Sequence, residues 1–213
     1  MTLPPSSPRS QTLVLASSSP RRRELLTQIG VPFEVVVQPV DETQQPGESP
    51  TDYVCRLARA KAAVVNVRER QAQARPVLGA DTIVVVDDLV LGKPEDKADA
   101  ARMLALLSGR RHQVMSAVCV MQGEHSQLRL SSSWVGFRTL SQADIDAYWA
   151  SGEPEGKAGA YAVQGLGALF INCLEGSYSG VVGLPLYETA ELLAIFSVAT
   201  GLERLTLAQG SIA

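Results

Sequence analysis

Residues 12–37 contain two apolar runs separated by a proline-started helix, and this order constrains the fold more than any other feature. The first run, at 12–16, predicts a buried strand, and Pro20 follows three serines in a position that suits the first turn of a helix. Gly30 is well placed to end that helix, and residues 33–37 predict the next strand. A strand, a helix and a strand joined by short loops are typical of α/β folds, so we expect that class.

The rest of the chain continues to alternate helices and strands. We expect helices over 51–69, 97–107, 141–150 and 185–199, strands over 77–80, 82–86, 89–91, 112–121, 127–139 and 168–174, and glycine-rich loops over 152–167 and 176–183. No internal repeat or linker divides these elements. We therefore expect a flexible N-terminal arm over residues 1–11 and a single domain over residues 12–213.

Composition excludes several classes of function. With 46% apolar and 19% charged residues the chain has ordinary globular usage, and its net charge of −3 gives no positive field for nucleic acid or anionic lipid. It has no apolar run long enough to span a bilayer and no signal-peptide pattern at its start. Cys55, Cys119 and Cys173 form no C-x-x-C pair. We expect a soluble cytoplasmic protein without nucleic-acid or membrane partners.

Three arginines stand where a helix would favour acidic residues. Arg21, Arg22 and Arg23 fall in the first turn after Pro20, at the positive end of the helix dipole, which costs a few tenths of a kcal/mol per charge. Free backbone N–H groups, a serine-rich loop and guanidinium groups together favour binding of an anion such as phosphate. The alternative is a solvated arginine patch, which is the better interpretation of Arg23.

Carboxylates and lysines in unusual positions add to this pattern. Asp81 interrupts an apolar run, where burial without a partner would cost several kcal/mol. It is either the cap of a turn at a strand end or a metal ligand or general base at the carboxyl edge of a sheet. Asp41 and Glu42 lie in a polar loop, where simple exposure to solvent is the alternative.

The lysines are less specific when taken singly. Lys61 falls on the apolar face of its helix, although a lysine stem can snorkel to solvent. Lys93 lies between a glycine and a proline, and Lys157 lies among glycines, so each is also compatible with an ordinary loop charge. Together, cations with two or three carboxylates are typical of magnesium-dependent polyphosphate chemistry.

Other nucleotide and hydrolase signatures are absent from the sequence. It contains no G-x-x-x-x-G-K-[ST] motif, no G-x-G-x-x-G turn after the first strand and no G-x-S-x-G elbow. His112 and His125 do not fall in a metal-binding pattern. A P-loop NTPase, a standard dinucleotide site and a serine hydrolase are therefore not supported.

Seven short motifs in a fixed order resemble a known family. They are Ala-Ser-Ser-Ser-Pro-Arg-Arg at 16–22, Asp-Glu at 41–42, Leu-Gly-Ala-Asp-Thr at 78–82, Gly-Lys-Pro at 92–94, Leu-Ser-Gly at 107–109, Gly-Lys-Ala-Gly-Ala-Tyr at 156–161 and Gly-Leu-Pro-Leu at 183–186. Together they resemble the Maf family of nucleoside triphosphate pyrophosphatases over about residues 12–196. The resemblance implies a mixed sheet flanked by helices, with two lobes around a cleft, related to the inosine triphosphate pyrophosphatases.

The resemblance also implies a reaction and the residues that carry it out. It implies hydrolysis between the α- and β-phosphates with Mg²⁺ or Mn²⁺, with Asp81 as the proton acceptor. The residues that match the family's phosphate-binding and metal sites are Ser17, Arg22, Lys61 and Lys93 for phosphate, and Glu42 with Asp81 for metal.

Three further positions resemble the branch of the family that prefers dTTP and UTP. They are Arg21, Thr82 and Gln164. The 7-methyl-GTP branch carries an acidic residue where Gln164 stands. A glutamine amide offers a donor and an acceptor, which matches the imide edge of uracil or thymine.

Two alternatives to this function stay open on the sequence. One is a nucleotide-binding regulator of septum formation whose hydrolysis is incidental, and the other is a pyrophosphatase for other non-canonical nucleotides such as inosine triphosphate. The apolar C-terminal helix is compatible either with a homodimer or with packing in the core of one chain.

Overall fold

A computed structural model describes residues 11–71 and 74–210, and a seven-stranded mixed sheet forms its centre. The strands are β1 (Leu13–Leu15), β2 (Phe33–Val35), β3 (Val77–Val86), β4 (Leu89–Leu91), β5 (Arg111–Gln122), β6 (His125–Phe137) and β7 (Ile171–Glu175). Their order is β2-β1-β3-β5-β6-β7, and β4 pairs with β3. The pairs β1–β2 and β1–β3 are parallel, whereas the other pairs are antiparallel.

Helices flank this sheet, which confirms the predicted fold class. They are α1 (Pro20–Gln28), α2 (Pro50–Gln71), α3 (Lys97–Leu107), α4 (Gln142–Ala150), α5 (Tyr178–Val182), α6 (Leu186–Ile195) and α7 (Gly201–Gly210), with 3₁₀ turns at Ala158–Ala160 and Leu166–Phe170. The Ser19 side chain caps α1, and Ser141 with Asp144 forms the predicted capping box of α4. No helix in these described ranges is long and apolar enough to cross a membrane.

Both faces of the sheet are covered. Adjacent strand residues point to opposite faces, so Val14 and Val77 pack with α2, whereas Leu15 and Leu78 pack with α1 and α6. A third cluster of buried apolar side chains lies around Leu104 of α3 and also includes residues of α4. The apolar residues of α6 are buried in the same cluster as Leu15 and Leu78. This agrees with the alternative in which the C-terminal helix packs in the core of one chain. The oligomeric state stays a prediction.

A gap in strand pairing lies beside the middle of β3. On one edge of β3, β1 pairs only as far as Leu78, and β4 pairs only from Val84 onwards. On the other edge, β5 pairs continuously with this stretch. Residues 79–83 of β3 therefore have an edge that no strand covers in the described part of the chain, and Asp81 and Thr82 lie on it.

Several predicted boundaries differ from the structure. The strands predicted at 77–80 and 82–86 form one strand, β3, which runs through Asp81 without a break because β5 supplies the backbone partners there; Asp81 is therefore not the cap of a turn at a strand end. The predicted strand at 168–174 starts only at Ile171, because residues 166–170 form a 3₁₀ turn. The last predicted helix ends at Ile195, and α5 and α7 were not anticipated. Apart from Gln11, the predicted arm lies outside the described residues.

Candidate active site

A cavity of about 660 Å³ opens at the uncovered edge of β3. Segments that are far apart in the sequence line it: the loop after β1, the start of α1, the polar loop before α2, the middle of β3, the loop after β4, and the two glycine-rich loops. Eight of the nine predicted site residues are among the lining residues: Ser17, Arg21, Arg22, Glu42, Lys61, Asp81, Thr82 and Lys93. The volume lies within the range of small-molecule sites.

One ammonium group joins the two predicted metal-binding carboxylates. Lys61 Nζ lies 2.6 Å from Asp81 Oδ1 and 2.8 Å from Glu42 Oε1. Asp81 is only 8% exposed, and a buried carboxylate needs a charged or hydrogen-bonding partner, which Lys61 provides. These two contacts explain why a lysine lies on the apolar, inner face of α2.

Close packing of α2 on β3 brings these groups together. A Cβ atom added at Gly79 would lie only 2.5 Å from both the Ala58 carbonyl oxygen and the Ala62 nitrogen. Glycine therefore allows the backbone of α2 to approach the strand. Since side chains alternate along a strand, Asp81 faces α2 as Gly79 does, and Lys61 of the next helical turn can reach it.

Arg22 is held on the other face of β3 by three hydrogen bonds. Its Nε donates to the Gly183 carbonyl at 2.9 Å, its Nη1 to Ser17 Oγ at 3.1 Å, and its Nη2 to Thr82 Oγ1 at 3.4 Å. A guanidinium has five N–H donors, so two remain for a ligand. The arginine predicted to bind phosphate is thus fixed in orientation before any ligand arrives.

The Thr82 hydroxyl is itself part of a buried network. Its Oγ1 lies 2.8 Å from Ser116 Oγ, and Ser116 in turn donates to the Gly180 carbonyl at 2.6 Å. Ser116 was not among the residues predicted from the sequence. A polar residue in an apolar run could have indicated it, because Ser116 interrupts an apolar strand as Asp81 does. Nothing in the sequence showed that β3 and β5 pair at this position.

The cations lower the cost of ionising Glu42. Burial raises the pKa of the Glu42 carboxyl, but the hydrogen bond and charge of Lys61, with the charges of Lys93 and Arg22, bring that pKa below its usual value. Glu42 is therefore a carboxylate at neutral pH. The Tyr53 hydroxyl donates to the Glu42 carbonyl oxygen at 2.7 Å and helps to fix this loop, a contact that the sequence did not indicate.

Arg21 and Lys157 supply further positive charge to the cavity. Burial lowers the pKa of each, and the charge of Arg21 lowers that of Lys157 further. Arg23, interpreted as a solvated residue, is exposed and is not among the lining residues. Gln164 is also exposed and does not line the cavity, so the structure does not bring this predicted specificity residue to the other eight.

The donor set fits a hard divalent cation that is shared with a ligand. Asp81 and Glu42 converge on one point, which Lys61 Nζ contacts, and Mg²⁺ is commonly held by one or two carboxylates together with substrate phosphates. In the described residues no group of three or more Asp, Glu, His or Cys side chains could hold a metal by itself. These side chains thus suit a cation that binds together with phosphate.

Comparison with known proteins assigns the chain to a family. The family model described as "Maf-like protein" matches residues 12–196. The chain belongs to the Maf family. Two of the similar curated proteins are both named dTTP/UTP pyrophosphatase. The one from Photobacterium profundum is 53% identical over 86% of this chain and 96% of its own length, and the one from Pseudoalteromonas atlantica is 51% identical over 88% and 98%.

One solved structure is also similar in outline. The Staphylococcus aureus Ham1 protein aligns with a TM-score of 0.43 at 13% identity, covering 95% of this chain and 98% of that chain. The assignment to the Maf family stands on the family model and the curated relatives. In this Maf protein, motifs from both ends of the match meet in one cavity, since Ser17 and Gly183 bind the same arginine.

Proposed function

We propose that this Maf protein hydrolyses dTTP and UTP to the nucleoside monophosphate and pyrophosphate with the help of a divalent cation, Mg²⁺ or Mn²⁺. The names of relatives 51–53% identical to it support the substrates and the reaction. The three cysteines are free thiols, which is compatible with a reducing cytoplasm, and we propose that compartment.

The observation that carries this proposal is the contact of Asp81 and Glu42 with one ammonium, in a cavity that four further cations line. Lys61 is the shared partner, and the other cations are Arg21, Arg22, Lys93 and Lys157. A triphosphate brings several negative charges, and cations placed before it binds stabilise the charge that develops as a phosphoryl group is transferred. Both carboxylates can bind a cation, and Asp81 can also accept a proton.

In the proposed reaction a water oxygen forms a bond to the α-phosphorus, and the bond from that phosphorus to the bridging oxygen of the β-phosphate breaks. Asp81 accepts the proton of the attacking water, and pyrophosphate leaves with the electron pair of the broken bond. Arg22, Lys61 and Lys93 stabilise the phosphate oxygens. Glu42 and Asp81 would hold a divalent cation, which would supply positive charge to polarise the phosphoryl group.

We assign selection of the base to Arg21, Thr82 and Gln164. Arg21 lines the cavity directly. Thr82 acts through its hydrogen bond to Arg22 rather than as a free hydroxyl, because its oxygen already lies within hydrogen-bond distance of three groups of the protein. Gln164 does not line the cavity, but it follows Tyr161, which does, in the same glycine-rich loop. We propose that its amide donates and accepts at the imide edge of a bound base.

The test is to incubate the purified protein with Mg²⁺ or Mn²⁺ and a panel of nucleoside triphosphates. Pyrophosphate and monophosphate are expected in equal amounts from dTTP and UTP, and neither from 7-methyl-GTP. Release from inosine triphosphate instead would retain the reaction but contradict the assigned base preference. Binding of nucleotides without any release of pyrophosphate would contradict the enzyme and support the regulator.

A further inference from the structure

Glu153, which follows α4, is bound to the loop that carries Gln164. Its Oε2 accepts a hydrogen bond from the Leu166 N–H at 2.9 Å, and its Oε1 accepts one from the Gly167 N–H at 3.0 Å. Tyr148 of α4 donates its hydroxyl proton to Glu153 Oε1 at 2.7 Å. One carboxylate thus binds two successive backbone amides of this loop.

Tyr148 extends the same contact to the other side of Gln164. Its hydroxyl oxygen accepts a hydrogen bond from the Ala162 N–H at 3.0 Å. The backbone is therefore held before Gln164 at residue 162 and after it at residues 166 and 167. The exposed Gln164 lies at the tip of a segment whose two ends are fixed by one carboxylate and one phenol.

The fit between Glu153 and the loop depends on glycine at position 165. A Cβ atom added at Gly165 would lie 2.1 Å from Glu153 Oε2 and 2.6 Å from Oε1. The carboxylate is the far end of a flexible side chain, so an alanine at this position would displace it rather than break the backbone. The loop and the carboxylate occupy this space together only because residue 165 has no side chain.

Glu153 is also electrostatically linked to the cavity. Burial lowers the pKa of both Arg21 and Lys157, and the negative charge of Glu153 opposes that shift at each of them. Burial raises the pKa of Glu153, but the amides of Gly167 and Leu166 and the Tyr148 hydroxyl bring it below its usual value. At neutral pH Glu153 is therefore ionised: its carboxylate binds the amides of the Gln164 loop, and its negative charge also acts on the two cations.

We propose that Glu153 is a positioning residue for base selection: its carboxylate fixes the loop that carries Gln164. This inference rests on the proposed pyrophosphatase function and extends it to a residue that does not itself touch the substrate. Glu153 lies outside the lining of the cavity, and the proton acceptor, Asp81, is not among its contacts. Loss of Glu153 therefore affects which base is accepted more than the chemical step.

The experiment compares UTP with CTP, which differ only at the edge of the base that Gln164 is proposed to contact. Values of kcat and KM are measured for the wild type, for Glu153→Gln and for Glu155→Gln. Glu155 is a matched control in the same turn, and its carboxylate binds no backbone amide of the described residues. We expect Glu153→Gln to lower the UTP/CTP ratio of kcat/KM about tenfold, through a higher KM for UTP with kcat little changed. Glu155→Gln should keep the wild-type ratio.

A second variant, Gly165→Ala, tests the same contact if Glu153→Gln does not fold. Gly165→Ala displaces the carboxylate while retaining its charge, and it should reduce the same ratio and speed hydrogen exchange in the peptide over 160–170. An unchanged UTP/CTP ratio in both variants, or an equal loss on both nucleotides through kcat, would overturn the inference while leaving the proposed function intact. A wild type that does not hydrolyse UTP would overturn the proposed function, and this inference with it.

Discussion

His112 should make the stability of this Maf protein depend on pH. The imidazole is 1% exposed, and its Nε2 lies 2.8 Å from the Tyr161 hydroxyl. Its Nδ1 has no hydrogen-bond partner among the described residues. Burial lowers the pKa of His112 from 6.5 to about 4, because a charged ring would be buried with no acceptor for its second proton.

The sign and the size follow from that difference. Below pH 6.5 the unfolded chain binds a proton at this residue, whereas the folded chain does not until about pH 4. The stability associated with a neutral His112 is therefore complete above pH 6.5 and is lost as the pH falls from 6.5 towards 4. Each pH unit in this interval corresponds to about 1.4 kcal/mol, so the full loss is about 3 kcal/mol.

The assay is urea unfolding of the wild type and His112→Gln at several pH values from 7.5 to about 4.5. Glutamine retains a polar group near Tyr161 but does not titrate, and the carboxylates common to both proteins cancel in the difference between them. The stability advantage of the wild type should fall by about 2–3 kcal/mol between pH 7 and pH 4.5. A difference that stays constant across this range would refute the account of a buried neutral histidine.

Three further predictions concern the site and its support. Gly79→Ala should destabilise the protein by about 3 kcal/mol, because the added methyl meets the backbone of α2; an unchanged melting temperature would show that α2 is not closely packed on β3. Arg22→Lys should lower kcat/KM for dTTP about tenfold or more, since lysine cannot keep the bonds to Ser17 and Gly183 and also bind phosphate. Full activity would contradict the fixed orientation of this residue. Glu42→Gln should raise the Mn²⁺ concentration needed for half-maximal rate, and an unaltered metal dependence would remove Glu42 from the metal site.

The site residues that could be predicted from the sequence are those whose charge is unusual for their position in a strand or a helix. Asp81 in an apolar strand and Lys61 on an apolar helix face each require a partner, and the structure pairs them with each other at 2.6 Å. Arg22 at the start of α1 was recognised by the same kind of argument. Local sequence carries this information because burial and the helix dipole act on single positions.

The other contacts depend on long-range pairing that a single sequence does not encode locally. The Gly183 carbonyl that fixes Arg22 lies 161 positions along the chain, and Ser116 meets Thr82 only because β3 and β5 pair in one register. The uncovered edge of β3 is also a property of the sheet, since it depends on where β1 ends and β4 begins. The alternation of strands and helices was predictable, whereas α5, α7 and the late start of β7 were not.

The most direct test of the account is the rate of pyrophosphate release from dTTP by Asp81→Asn, compared with the wild type at saturating Mg²⁺. Asp88→Asn, an exposed residue in the turn after β3, is the matched control. Loss of a general base lowers kcat about 10²–10⁴-fold, and we expect a loss in this range for Asp81→Asn with nucleotide binding retained and none for the control. Near wild-type release by Asp81→Asn would contradict the central claim that this carboxylate accepts the proton of the attacking water.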